Sequence, residues 1–182
     1  AAGFGIIHWT TRPLDIYFKS LSDQTWIDGH DLDLKDICRS MAERTFGPEL
    51  RDGMGEYLYR FVKEGPQFGR ETTDRFIDHS LEVDETIALS VQRQKLLSSL
   101  NKGRLDSLSR EHFEYYELLE RFFVEFFRNQ GALQNSVKLM KEGQFDKARQ
   151  EILLCEPESV IELYRESARK AGISKGEQAI II

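Results

Sequence analysis

The chain has 182 residues, 40% hydrophobic and 31% charged, with a formal net charge of -6 at pH 7. That length and balance fit one domain with a sizeable core, and lysines and arginines that alternate with carboxylates argue against a nucleic-acid surface. No run approaches the roughly 20 apolar residues a membrane helix needs, and no signal-peptide pattern opens the chain, so neither nucleic acid nor membrane is an expected partner.

Residues 1–12 read as a barrel-like strand and loop, the strand ending in a concentrated set of polar and aromatic groups. Gly3 and Gly5 permit close backbone approach, and the β-branched pair Ile6 and Ile7 suits a buried strand. His8, Trp9, Thr10 and Arg12 then supply an imidazole, an indole, a hydroxyl and a guanidinium. Pro13 stands where a first helical residue would, with Leu14, Tyr17, Phe18 and Leu21 at helical spacing, which predicts a helix over 13–26. A strand leading straight into a helix is the layout of a βα unit, whose ligands gather at the strand's carboxyl end.

A polar connection over 27–33 leads to a second helix with Asp33 as N-cap, an inward stripe of Leu34, Ile37, Cys38, Met41 and Thr45, and a stop at Gly47-Pro48. The next helix, about 48–64, is expected to bury Leu50, Met54, Leu58, Phe61 and Val62, with Gly53 and Gly55 weakening it. Residues 65–72 form the best loop candidate. Helices are expected over 73–81 and over 84–101, the latter capped by Asp84 with Ile87, Val91 and Leu97 inward. Between 107 and 142 the positions Phe113, Tyr116, Phe123, Phe126 or Phe127, Leu133, Val137 and Met140 recur at three or four, apart from a wider step after Tyr116 and one across Gly131. These predict one long helix. Helices over 145–155 and 157–171 follow, set off by Gly143, Pro157 and Gly172.

The expected fold is therefore mainly α: a single, mostly helical domain with a short strand at each end, the second over 176–182. The chain starts on Ala1 and stops at Ile182 within an apolar run that reads as a strand, which suggests a piece of a longer chain in which 177–182 pair with 3–8. Residues 133–168 resemble one tetratricopeptide-like helix pair turning at Gly143 to Ala148, although such solenoids need about three repeats to bury a continuous core.

Several features have sufficient structural explanations. Asp28, Asp31, Asp33 and Asp36 lack the sixth-position glycine and twelfth-position glutamate of a calcium loop, and acids near a helix start complement its dipole. His30, His79 and His112 are scattered, and no metal or cofactor is expected. Cys38 and Cys155 fit two buried free thiols. The belt of Tyr115, Tyr116, Phe122, Phe123, Phe126 and Phe127 fits core packing in a bundle, with a partner interface as the competing account. No nucleophile elbow, P-loop, zinc pattern or dinucleotide fingerprint occurs.

The segment from Gly3 to Pro13, read as Gly-x-Gly-Ile-x-His-Trp-x-x-Arg-Pro, resembles the last strand and following loop of a TIM-barrel glycoside hydrolase. Gln24-x-Trp26, Thr45-Phe46-Gly47 and the helical remainder look like the accessory region that follows the barrel in α-glucuronidase-type and related polysaccharide-degrading enzymes. The resemblance implies a fragment of a (β/α) barrel enzyme, secreted or periplasmic, that meets an oligosaccharide or polysaccharide through the parent enzyme. Trp9 would stack on a sugar, while His8, Thr10 and Arg12 would contact hydroxyls or a uronic carboxylate. The catalytic carboxylate pair would come from earlier strands, so no catalytic residue carries over to this sequence. The alternative expectation is a helical protein-interaction module built on the tetratricopeptide-like pair.

Overall fold

The computed structural model describes Ser22, residues 33–66 and residues 82–172. The expected strands at 3–8 and 176–182, the expected helix over 13–26 apart from Ser22, the expected helix over 73–81, and all but Gly65 and Pro66 of the expected loop lie outside the described residues. Within the described residues the chain is mainly helical, and no strand occurs.

Helix α1 spans Leu34–Phe46 and starts at Asp33, whose side chain accepts from the Lys35 amide at 3.4 Å. It buries Ile37, Cys38, Ala42 and Phe46 and stops at Gly47, where a φ of 87° favours a residue without a side chain. Pro48–Leu50 then forms a 3-10 turn, and helix α2 runs Arg51–Glu64, so the single helix expected from residue 48 is two elements. Pro48 has no amide hydrogen to donate and suits that tight first turn.

Gly53 and Gly55 do more than weaken α2. A Cβ on Gly55 would lie 2.9 Å from the Arg39 Cα, and one on Gly53 would meet the end of the Leu100 side chain. Their missing side chains therefore let α1 and the end of α3 approach, which offsets a helix-propensity cost of about 1 kcal/mol each.

Helix α3 spans Val83–Ser99. Glu82 occupies the cap position and Asp84 lies in the first turn, so Asp84 is a dipole-complementing acid rather than the expected cap. Helix α4, Ser107–Lys141, is the central pillar. Asp106 caps it by accepting from the Ser109 amide at 2.9 Å, and Ser109 Oγ donates to the Thr45 carbonyl at 2.6 Å, tying the start of α4 to the end of α1. The helix passes through Gly131, where a Cβ would crowd Val83 Cγ1 at 3.1 Å.

The aromatic belt of α4 is core. Phe113, Phe123 and Phe127 are buried, Phe46 meets Phe113 edge-on at 6.2 Å, Tyr57 meets Tyr116 at 5.3 Å, and Phe122 meets Tyr164 at 5.4 Å. Each buried ring contributes roughly 1.5–3 kcal/mol through apolar burial.

Past Gly143 the chain reverses into helix α5, Phe145–Leu153, which stops short of the expected residue 155. Gln144 N donates to Leu139 O at 2.9 Å across the reversal, and Gly143 takes a φ of 76°. Helix α6, Pro157–Lys170, returns along α4, with Glu156 N bonded to Asn129 Oδ1 at 2.7 Å at one end and Lys170 Nζ paired to Glu114 at 2.6 Å at the other.

Two expectations about single residues change. Val91, Phe61 and Val62 are half-buried, and the deepest inward positions of α3 are Ser90, Arg93 and Leu97. Cys38 is buried, but Cys155 is only partly so, and both thiols are free.

Candidate functional site

His8, Trp9, Thr10 and Arg12 lie outside the described residues, as do Asp28 and Asp31. Of the residues carrying the hydrolase resemblance, Thr45, Phe46 and Gly47 are described. They close α1: Phe46 fills the core against Phe113 and Tyr116, Gly47 permits the turn, and the Thr45 carbonyl receives Ser109. Asp33 and Asp36 sit at the start of α1, where the helix dipole accounts for them.

The most concentrated polar chemistry among the described residues is a buried network that joins α2, α3 and α4. Arg93 donates through Nε to Glu120 Oε1 at 2.7 Å and through Nη2 to Oε2 at 3.1 Å, a two-pronged pairing of guanidinium and carboxylate. Arg93 Nη2 also reaches Ser90 Oγ at 2.9 Å, and Nη1 reaches the Glu64 carbonyl at 3.4 Å near the end of α2. Tyr57 donates its hydroxyl to Glu120 Oε1 at 3.1 Å. Both Arg93 and Glu120 are 0% exposed.

Burial pushes the Glu120 carboxyl above its ordinary range, against the pull of Arg93, Tyr57 and Ser90, which favour the anion. Burial, followed by the adjacent Glu120 charge, holds the Tyr57 phenol well above its usual value. With both of its oxygens occupied and no exposure to solvent, Glu120 is placed to hold helices together rather than to exchange protons with a substrate.

The sequence carried a signal for this network. The wide step in the apolar stripe after Tyr116 is filled by Glu120, and Ser90 and Arg93 fall in inward register with Leu97. Polar residues at inward positions are the mark of a buried pair, and pairing them demands the tertiary arrangement.

Beside the network, an open groove of about 250 Å³ is lined by Gln94, Leu97, Ser98, Glu117 and Arg121. Its carboxylate, Glu117, is held by Lys102 Nζ at 2.8 and 3.1 Å. No group of three His, Cys, Asp or Glu residues able to hold a metal occurs among the described residues. The Cys38 thiol is pushed up to about 11, first by burial and then by Asp33, which leaves it protonated and unreactive near neutral pH.

A different set of exposed apolar side chains runs from the end of α4 along α5 to its far end. Phe145 is 67% exposed, Leu153 72% and Leu154 69%, with Met140 and Ile152 about half exposed. These belong to the end of α4 and to α5, and they lie outside the main core. No family model matches the chain, and no curated protein or solved structure matches it significantly.

Proposed function

We propose that the chain is the mostly helical accessory part of a carbohydrate-active glycoside hydrolase, supplying sugar contacts from His8, Trp9, Thr10 and Arg12 and structural support from the bundle, without the full catalytic carboxylate pair. The observation that carries this reading is the motif Gly-x-Gly-Ile-x-His-Trp-x-x-Arg-Pro followed by a helical remainder. Two features support it. Thr45-Phe46-Gly47 forms a structural joint between α1 and α4, as an accessory region braced against its own bundle requires. The buried carboxylate of the bundle, Glu120, is taken up by Arg93 and Tyr57, so the described helices act as scaffold.

Titration of uronic-acid-containing oligosaccharides against the full-length protein and its Trp9→Ala variant tests the reading. Loss of the indole face should weaken binding by about tenfold. Equal affinities would remove Trp9 from the site and the reading with it.

A second reading, a helical protein-interaction module, is favoured by the apolar edge from Met140 to Leu154. The aromatic belt does not contribute, because it is core. Light scattering on the chain and on a Phe145→Ala/Leu154→Ala variant, alone and with candidate partner peptides, checks this reading. An association that the double variant loses supports it, and a chain that stays monomeric and binds no peptide counts against it.

A further inference from the structure

The apolar edge has two sides, and helix geometry separates them. Among the described residues, Ser136 is the sole buried position in the last part of α4 and Ala148 the sole buried position of α5, so these two mark where the arms face each other. The arms are antiparallel, because the chain reverses at Gly143. At about 100° per residue, the side chains just after each facing position fall on the same side of an antiparallel pair. Leu133, Val137 and Met140 of α4 therefore share one side with Phe145 and Ile152 of α5, whereas Leu153 lies toward the outer back and Leu154 on the other side.

The charges divide as well. Arg149 falls on the side of this groove and forms no ion pair among the described residues, whereas Lys141 lies toward the outer back of α4. Glu142 and Glu151 fall on the opposite side, and Asp146 on the outer back of α5. Arg149 lies between Phe145 and Ile152 on one helical ridge, so a free guanidinium separates two exposed apolar side chains.

We infer that this groove receives an amphipathic helix from a partner protein, with apolar anchors at i, i+3 and i+7 and carboxylates beside them. Two antiparallel arms offer the ridges and groove into which a third helix packs, with apolar anchors giving affinity and flanking charge giving orientation. A second copy of this chain fits poorly. Antiparallel pairing of α5 with its own copy about the same ridge would set Arg149 against Arg149, and like charges in register disfavour that partner. The inference rests on the interaction-module reading and is independent of the sugar contacts.

The test is fluorescence anisotropy with two labelled synthetic helical peptides that carry Leu at i, i+3, i+7 and i+10, one flanked by Glu and its twin by Lys. The Glu peptide should bind about tenfold or more tightly than the Lys twin. Phe145→Ala and Ile152→Ala should each weaken it by about tenfold, Leu154→Ala should leave it unchanged, and Arg149→Glu should reverse the preference between peptides. These side chains are exposed, and circular dichroism of each variant confirms that its helices are intact. Binding of both peptides alike, a preference for the Lys twin, or dependence on Leu154 instead of Phe145 overturns the inference and leaves the module reading standing. A Phe145-dependent dimer in light scattering overturns it in favour of a second copy. Binding of neither peptide overturns the inference and the module reading together.

Discussion

Glu120→Gln is the sharpest perturbation of this fold, because it keeps the side chain's shape while removing its charge and turning one of its two accepting oxygens into a donor. Arg93 would then lie at 0% exposure with one of its two contacts to residue 120, now at 2.7 and 3.1 Å, kept as a neutral hydrogen bond and the other lost to a donor facing a donor. Among the described residues, the other carboxylate paired with it is Glu64, at 3.8 Å and partly exposed. Stripping one partner from a buried ion pair costs roughly 3–5 kcal/mol, because the other charge stays desolvated. At about 2–4 °C per kcal/mol for a domain of this size, the midpoint of thermal unfolding should fall by roughly 6–20 °C. The double variant Arg93→Met/Glu120→Leu removes both charges and should return to within about 2 kcal/mol of the parent or exceed it, since well-packed apolar replacements of buried pairs are often neutral or stabilising. Urea unfolding followed by circular dichroism, on both single variants and the double, gives the coupling energy from a complete cycle. A loss below about 1 kcal/mol for Glu120→Gln, or a double variant whose loss equals the sum of the singles, would refute the view that this pair is a mutually dependent structural unit.

Gly55→Ala should destabilise the chain by about 1–3 kcal/mol in the same assay despite the better helix propensity of alanine, because the new Cβ meets the Arg39 backbone and α1 must move. A stabilised variant would show that the two helices part freely. The Tyr57 phenol is raised above 10 in the folded chain, so its proton stabilises the fold fully below that value and the contribution is lost as pH rises from there through the folded value. Alkaline unfolding should accordingly be flatter with pH in Tyr57→Phe than in the parent, and identical slopes would contradict the burial of the phenol. Thiol labelling near pH 8 should modify partly exposed Cys155 first and reach Cys38 only on unfolding, since Cys38 is buried and pushed up to about 11. Equal labelling rates in the folded chain would contradict that difference.

Much of the helical layout is readable from local chemistry. Asp33, Gly47, Gly143, Pro157 and Gly172 mark helix ends because caps and left-handed turns depend on a few neighbouring residues. The three-to-four spacing of aromatics exposed the long helix α4 even across Gly131. Boundaries decided by competing caps were less readable. Asp84 and Glu82 stand two residues apart, and the choice between them depends on where α3 begins, not on acidity.

Order along the chain thus establishes a mainly helical fold, its principal breaks and its apolar stripes, since these follow from backbone preferences and residue period. The partners of buried polar groups are set in three dimensions. A lone glutamate in the α4 stripe has no local explanation until Arg93 from α3 and Tyr57 from α2 are brought to it, 27 and 63 residues away in sequence. Likewise, Phe122, Phe123 and Phe127 become core while Phe145, Leu153 and Leu154 remain outside it, because burial depends on which helix lies opposite rather than on the side chain's own hydrophobicity.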